Sequence, residues 1–463
     1  MTATEATHSD AEIGTQHKRR YARYDGLRGI CAIFVVIYHI GYQSGISELP
    51  GHDGVPILGS LVPAFRIFLP PFFVLSGLLL YRPFARAIIA GTPRPAPGPF
   101  IVGRALRLLP AFYVLTIVVM FTLNLSAVDS AWEVIKPFIL LHYWFTPDMA
   151  QWWPGMEHTW TVPVEMSYYL ALPILAWLIN RSARRGTDPA ARARRIIVPF
   201  VVMTVIGTAW TVFCYLPSQA EHTYYFVFWP LGYAGFFAAG MALATLSAYR
   251  DVTGVVPALH RAVAKHPMLW WLGALVALLL YIPKPFAPQV VVGTWPAMAQ
   301  HLVEYVLFFA FGLLAVVPLT VPEVRSRFMD AVLTNPPIRY IGRLSYGVYL
   351  WNVPVMYYYF QYGTIFGNQP LGLNDARPTL PFGELVGFVL YVIVGTALFT
   401  LVSYYVVERP ALRLRHVFNA PISALELGYA TTPADDARSA DDARSADRAE
   451  PQDVTATQRS TER

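Results

Sequence analysis

Long apolar runs separated by short basic segments are the main pattern of this sequence. Ten runs have the length of a membrane-crossing helix, at about 26–46, 61–81, 108–125, 160–180, 196–216, 224–247, 268–283, 299–320, 340–360 and 384–407. A helix needs about 20 largely apolar residues to cross a bilayer, and a helix satisfies its own backbone polar groups there. The pattern therefore predicts an all-α, polytopic integral membrane protein with about ten transmembrane helices.

The remaining segments divide the chain further. The apolar stretch 135–145 is too short for an ordinary crossing and predicts a re-entrant or interfacial element. Residues 1–20 and 417–463 are polar, and such segments cannot bury enough apolar surface to form a core. We expect a disordered N-terminus over 1–20, a transmembrane domain over 21–416 and a disordered tail over 417–463.

Composition and charge agree with this interpretation. Only 14% of the residues are charged, against about 25% in a typical soluble protein. With the N-terminus in the cytoplasm, the basic residues outside the cytoplasmic segments are Arg66, Lys136, Lys284 and Arg377, four of 35. Basic residues are enriched in cytoplasmic loops, so both termini are predicted to be cytoplasmic. The net charge of +6 thus reflects topology and does not indicate nucleic-acid binding.

Two ionisable residues share one face of the first predicted helix. Arg28 and His39 are eleven positions apart, which is three helical turns and about 16 Å along the axis. Arg28 is expected at the cytoplasmic surface, and His39 more than halfway to the outer face. Because ionisable residues inside a membrane are costly and usually functional, we predict a pathway with a reactive imidazole at its end. The alternative is a packed histidine bonded to a nearby carbonyl.

A carboxylate and a pair of arginines complete the first candidate site. Glu165 lies about one and a half turns into a helix that starts outside, so it is expected at the depth of His39, where it could orient a base. Arg104 and Arg107 have the R-x-x-R spacing that places two guanidinium groups on one helix face, which suits phosphate binding. Alternatively, the arginines only enforce orientation, and Glu165 pairs with Arg66.

Six motifs resemble the bacterial membrane acyltransferase-3 family, in the same order and over roughly 22–416. They are the D-G-L-R-G opening with Arg28 and His39, the phrase Phe72-Phe73-Val74-Leu75-Ser76-Gly77, the R-x-x-R pair, Trp160 with Val164-Glu165, Ser345-Tyr346-Gly347-Val348-Tyr349-Leu350-Trp351, and Val407-Glu408-Arg409-Pro410. The sequence departs from the family at Asn352, where a histidine is common, and at Met166, where a second acid is common. These departures remove two possible proton carriers, so His39 and Glu165 become the main candidates for that role.

The resemblance implies an enzyme of a bacterial cytoplasmic (inner) membrane. It would move an acyl group, often acetyl, from cytoplasmic acyl-CoA (acetyl-CoA) to a hydroxyl of an envelope carbohydrate or lipid. It also implies an essential histidine, here His39, and arginines that hold the donor, here Arg104 and Arg107. No metal site is predicted, because Cys31 and Cys214 both lie in apolar runs and no ligand spacing is visible.

The mechanism predicted from both lines of reasoning places the donor phosphates on the cytoplasmic arginines, including Arg28. His39 acts as a general base or carries the acyl group transiently, and Glu165 orients it or positions the acceptor. Ser76 and Gly77 are expected to allow close approach of the donor. Asp25, Trp160 and Arg66 are assigned to substrate binding, while the acceptor and the oligomeric state stay open.

Other interpretations remain open at this point. A transporter of a lipid, sugar or acyl donor would also place polar residues and prolines inside the membrane, and a scaffold could recruit partners through its tail. His301 and Glu304 could form a polar pair or simply pack at a helix start. Other residues with two readings are Tyr357, Tyr358, Tyr359 and Tyr362, as an aromatic belt or a sugar platform, and His142, Glu157 and His158, as an acceptor entrance or ordinary loop residues.

Overall fold

The computed structural model describes residues 3–47, 55–144, 152–283, 292–362 and 379–418, and these residues form helices and no strand. The first nine helices are α1 (Ala3–Gln43), α2 (Leu58–Ala64), α3 (Pro70–Ala90), α4 (Pro97–Leu123), α5 (Ala131–Phe138), α6 (Thr161–Ala183), α7 (Pro189–Cys214), α8 (Thr223–Phe226) and α9 (Ala234–Thr253). The others are α10 (Ala258–Lys265), α11 (Pro267–Tyr281), α12 (Trp295–Thr320), α13 (Arg327–Leu333), α14 (Pro336–Arg343), α15 (Ser345–Tyr362), α16 (Phe382–Ser403) and α17 (Arg409–Arg413). The prediction of an all-α polytopic membrane protein is confirmed.

Within the described residues, eight helical segments are long and apolar enough to cross a membrane, or nine if α10 and α11, bent by 88° at their junction, form one span. The span predicted at 340–360 corresponds to α15, an 18-residue helix outside this set. Its tyrosines and Asn352 lower its apolar character. The count of ten and the position of the termini therefore stay predictions.

In two segments the observed helices differ from the structure that the sequence predicted. The helix α1 begins at Ala3, inside the segment for which we expected disorder, because Ala, Glu, Gln, Lys and Arg in that segment all favour helix. The short element predicted at 135–145 includes the end of the eight-residue helix α5, which is about 12 Å long and cannot cross a bilayer. The tail from 419 onward and residues 145–151 lie outside the described residues.

Glycine contacts bring the central helices close together. A Cβ on Gly77 of α3 would lie 2.2 Å from the carbonyl oxygen of Phe237, and one on Gly240 of α9 would lie 2.0 Å from that of Val74. Small residues at such crossings allow backbones to touch, which is the usual way that helices associate in membranes. The α3–α9 pair therefore forms the centre of the bundle, whereas α7 and α16 lie at its periphery, with 17% and 22% of their spans buried.

The D-G-L-R-G opening has a structural explanation of the same kind. A Cβ on Gly29 would lie 2.2 Å from the carbonyl oxygen of Ile338, and one on Gly342 would lie 1.8 Å from that of Asp25. Gly26 makes a similar approach to Leu333. These glycines let α13 and α14 lie directly on the middle of α1, beside Arg28.

Candidate active site

A cavity of about 110 Å³ opens between α1, α3, α4, α6 and α15. Its walls are mostly apolar, and its ionisable or hydroxyl-bearing lining residues are Arg28, Ser76, Arg104, Arg107, Thr161, Glu165, Tyr169, Ser345, Tyr346 and Tyr349. The structure thus brings five of the residues predicted from the sequence to one cavity: Arg28, Ser76, Arg104, Arg107 and Glu165. This is the main candidate site.

The arginines form a cationic end of the cavity. Arg104 and Arg107 are buried, with 6% and 7% of their surface exposed. The guanidinium of Arg107 lies 3.6 Å from a carboxylate oxygen of Glu408 and 6.0 Å from the ring centre of Tyr346. Glu408 is itself buried in a single π-helical turn, Tyr404–Glu408, a type of turn that is frequent at functional sites. Arg107 is therefore held in place by contacts with the π-helical turn and with α15.

His39 lies one helical turn beyond the cavity lining, following Val35 and Val36 on α1. Its Nδ1 atom is 2.7 Å from the Oδ1 atom of Asn352 on α15. The amide nitrogen of Asn352 donates to the carbonyl oxygens of Val348 and Tyr349, at 2.9 and 2.6 Å. Because that nitrogen is committed as a donor, Oδ1 is the acceptor and Nδ1 of His39 must carry the proton. The Nε2 atom of neutral His39 is then the basic one.

A second imidazole adjoins His39. The rings of His39 and His158 are 5.8 Å apart and meet edge to face. The Nε2 atom of His158 donates to the carbonyl oxygen of Leu350 at 3.1 Å, and the hydroxyl of Tyr349 donates to the His158 carbonyl. From the sequence, His158 was only a possible entrance residue. Its contact with His39 joins segments far apart in the chain, so no local spacing could have identified it.

Glu165 is not the partner of His39. Its carboxylate accepts a hydrogen bond from the Tyr169 hydroxyl at 2.5 Å, and the charges of Arg28, Arg104 and Arg107 act on it. It is seven positions after His158, so it lies about 10 Å further along this helical segment, toward the arginines. His158, from the turn Glu157–Trp160, therefore lies beside His39 in the place that the sequence assigned to Glu165.

Arg66 also has a different partner from the alternative considered above. It pairs with Glu304 of α12 at 2.8 Å, donates to the Tyr281 hydroxyl at 3.2 Å and lies 5.4 Å from the ring centre of Phe308. Glu304 also binds Nδ1 of His301 at 3.0 Å, so the predicted polar pair exists and includes Arg66. This cluster stands apart from the residues that line the cavity.

The other predicted site residues have mainly packing contacts. Gly77 contacts α9 and is not part of the cavity lining, and Trp160 packs against Tyr233 with ring centres 4.9 Å apart and the rings tilted by 32°. Asp25 is buried beside Arg28, whose charge acts on it. Tyr357, Tyr358 and Tyr359 are buried rather than facing lipid, so they do not form an aromatic belt. The residues that the structure describes contain no group of three or more His, Cys, Asp or Glu side chains suited to a metal ion.

Comparisons with known proteins agree with the motif pattern. A family model described as an acyltransferase domain, of the acyltransferase-3 type, matches residues 21–408. The chain is 21% identical to the peptidoglycan O-acetyltransferase OatA of Listeria monocytogenes, over 74% of this chain and 50% of that protein. It is 23% identical to the putative peptidoglycan O-acetyltransferase YrhL of Bacillus subtilis, over 74% of this chain and 49% of that protein.

A third relative matches over more of its length. The chain is 24% identical to the putative membrane-bound transacylase BcsY of Komagataeibacter xylinus, over 89% of this chain and 88% of that protein. The chain thus spans about half the length of the two peptidoglycan O-acetyltransferases but most of the length of the transacylase. No solved structure matches it.

Proposed function

Because the chain belongs to the membrane acyltransferase-3 family, we propose that it transfers an acyl group, such as acetyl, from acyl-CoA to a hydroxyl of an envelope carbohydrate or lipid. The observation that carries this proposal is one cavity with buried arginines at one end and a histidine with a basic Nε2 atom next to the other. The protein would act in a bacterial inner membrane, with the arginines on the cytoplasmic side.

The donor would bind through its phosphates. Arg104 and Arg107 present two guanidinium groups from one face of α4, and Arg28 adds a third from α1. Arginine binds phosphate oxygens in bidentate fashion, and such charged hydrogen bonds are strong. The thioester arm would then extend through the apolar part of the cavity, past Leu69, Phe72 and Val36, toward His39.

The chemistry would use Nε2 of His39. As the acceptor oxygen attacks the thioester carbonyl, Nε2 takes the hydroxyl proton. The carbon–sulfur bond then breaks, and the same imidazolium returns the proton to the leaving thiolate, so that the ester and CoA thiol form without net proton change. Asn352 would stabilise the imidazolium through its Oδ1 atom. An acyl-histidine intermediate at Nε2 would need the same tautomer, so the arrangement fits either route.

The acceptor would be a carbohydrate hydroxyl. Two relatives are named as peptidoglycan O-acetyltransferases, which makes a cell-wall sugar the first acceptor to test. Glu157 lies next to His158, on the side of His39 away from the arginines, and accepts a hydrogen bond from Tyr357. An acceptor would reach His39 from this side because the arginines occupy the opposite end of the cavity.

The test is transfer from radiolabelled acetyl-CoA to peptidoglycan fragments by the full chain in lipid nanodiscs. We expect labelled ester and free CoA thiol in equal amounts, and a loss of at least about 100-fold for His39→Ala, the range typical of a general base. His222→Ala, at an exposed histidine, is the control and should keep full activity. With the same chain in sealed proteoliposomes, donor uptake without ester formation would favour a transporter. Full activity of the His39 variant would exclude His39 as the base.

A further inference from the structure

The helix α14 brings two more arginines to the cationic end of the cavity. Gly342 and Gly29 hold this eight-residue helix in backbone contact with α1, as described above. Arg339 and Arg343 lie on it four positions apart, and therefore on one face. The charges of both act on the buried carboxyl of Asp25, together with those of Arg28 and Arg107. Neither arginine lines the cavity itself, so they lie just outside its cationic end.

The charges gathered here are mostly positive. In the described part of the chain, Arg28, Arg104, Arg107, Arg339 and Arg343 are grouped around the carboxylates of Asp25, Glu165 and Glu408. Two acids of neighbouring elements form ion pairs with other arginines: Asp330 binds Arg23 at 2.8 Å, and Glu323 binds Arg250. Grouping like charges in a partly buried site is unfavourable unless an anion compensates them. The arrangement therefore favours a ligand with several negative charges.

We propose that Arg339 and Arg343 form a second phosphate subsite, which binds the ribose 3′-phosphate of the donor nucleotide. This inference rests on the proposed use of acyl-CoA. In that donor the diphosphate is joined directly to the arm that carries the thioester, whereas the 3′-phosphate lies on the ribose, further from the arm. The order of groups in the ligand matches the order of arginines in the protein: Arg28, Arg104 and Arg107 line the cavity, and Arg339 and Arg343 follow outside it.

The test compares binding of CoA with binding of 3′-dephospho-CoA by calorimetry, using the full chain in phosphatidylcholine nanodiscs. The wild type should bind CoA about tenfold or more tightly than 3′-dephospho-CoA, because the 3′-phosphate adds one or two charged hydrogen bonds. The double variant Arg339→Gln/Arg343→Gln should lose this preference and bind both ligands with the affinity of wild type for 3′-dephospho-CoA. The Arg104→Gln/Arg107→Gln variant should instead lower the affinity for both ligands by a similar factor.

A matched control comes from the same region. Arg325→Gln/Arg327→Gln removes two charges from exposed arginines only twelve to eighteen residues earlier in the chain, and it should leave the preference for CoA unchanged. If the control also abolishes the preference, general surface charge explains it and the subsite is excluded. Should the double variant aggregate, Arg339→Gln alone gives the same readout, with a smaller loss of preference.

The remaining outcomes separate the two proposals. Failure of the wild type to bind either ligand contradicts the proposed donor itself. Equal preference for CoA in wild type and double variant overturns only the subsite. An anionic phospholipid headgroup offers the same phosphate chemistry, so binding is repeated in nanodiscs with phosphatidylglycerol. If the double variant weakens CoA binding only there, the arginines bind lipid and the nucleotide assignment is wrong.

Discussion

His39 and Asn352 are 313 positions apart in the chain, and their side chains meet through a 2.7 Å contact between Nδ1 and Oδ1. The amide of Asn352 is fixed by its two bonds to the backbone of α15. The position where the related family often has a histidine thus holds a side chain that selects one tautomer of His39. An amide at this position directs the base without itself exchanging a proton.

Substitution of Asn352 should affect the reaction rate rather than donor binding. In Asn352→Leu, Nδ1 of His39 loses its acceptor, so both tautomers become populated and the ring is free to turn. We expect kcat to fall by about 10- to 100-fold with little change in KM for the donor, since misplacing a reacting group costs about that much. Steady-state transfer kinetics provide the measurement.

The conservative variant at this position makes the test specific. Asn352→Asp retains an acceptor for Nδ1 and adds a negative charge that favours imidazolium. It should keep more activity than Asn352→Leu and shift the acidic limb of the pH–rate profile to higher pH. If Leu and Asp variants lose activity equally and with unshifted profiles, Asn352 has only a packing role.

Neutralising Glu165 should tighten donor binding. Its carboxylate lies among Arg28, Arg104 and Arg107 and competes with a bound phosphate for their charge. Glu165→Gln keeps the acceptor for the Tyr169 hydroxyl but removes the negative charge. We expect the Kd for CoA to fall by several-fold at low ionic strength, with the difference reduced by salt. If CoA binding is unchanged and the pH–rate profile shifts, Glu165 acts on His39 instead.

Glycine contacts along α1 should be essential for docking of α14. A methyl group at Gly29 would lie 2.2 Å from the Ile338 carbonyl oxygen, so Gly29→Ala must push the two helices apart. We expect about 1–3 kcal/mol lower stability, the usual cost of overpacking. Thermal unfolding in detergent provides the measurement. The control is Gly387→Ala in α16, where nothing lies within 4 Å and the higher helix propensity of alanine predicts no loss.

The segment 139–144, which follows α5 and contains His142, should lose stability in acid; we call it the His142 loop. This histidine lies outside the eight candidate spans, and burial, with a smaller contribution from the charge of Lys136, lowers its pKa to about 3. The unfolded loop has a histidine with a pKa of 6.5, so it binds a proton below that pH while the folded loop does not. At pH 5 the folded loop should be about 2 kcal/mol less stable than at pH 7.

Hydrogen exchange of the loop amides at the two pH values, corrected for intrinsic rates, measures this difference. His142→Phe retains an aromatic ring against Phe112 and cannot bind a proton, so its protection should be independent of pH in this range. His266→Phe, at an exposed histidine, should keep the wild-type pH dependence. Equal pH dependence in wild type and the His142 variant would contradict the assignment.

The sequence predicted most of the fold because the free energy of membrane insertion depends on composition along each segment. It also predicted the cationic end of the cavity, because Arg104 and Arg107 are three positions apart and therefore lie on one face of a helix. It did not predict Asn352 or His158 as neighbours of His39, because these contacts join α15 and the turn before α6 to α1. The predicted start of the span at about 160 agrees with the start of α6 at Thr161, but spacing alone did not show that His158 of the preceding turn contacts His39 while Glu165 bonds Tyr169.

The packing of α14 against α1 also has a mechanical consequence. Backbone groups of Gly29 and Gly342 are already in contact with the opposite helix, so the two helices can neither slide nor separate without breaking that contact. The arginines that they carry must therefore move together. On the opposite side of the cavity, Arg107 of α4 is held by Glu408 and lies over the ring of Tyr346. The cationic end of the cavity is therefore held on both sides, and a bound nucleotide would have to fit a preformed site.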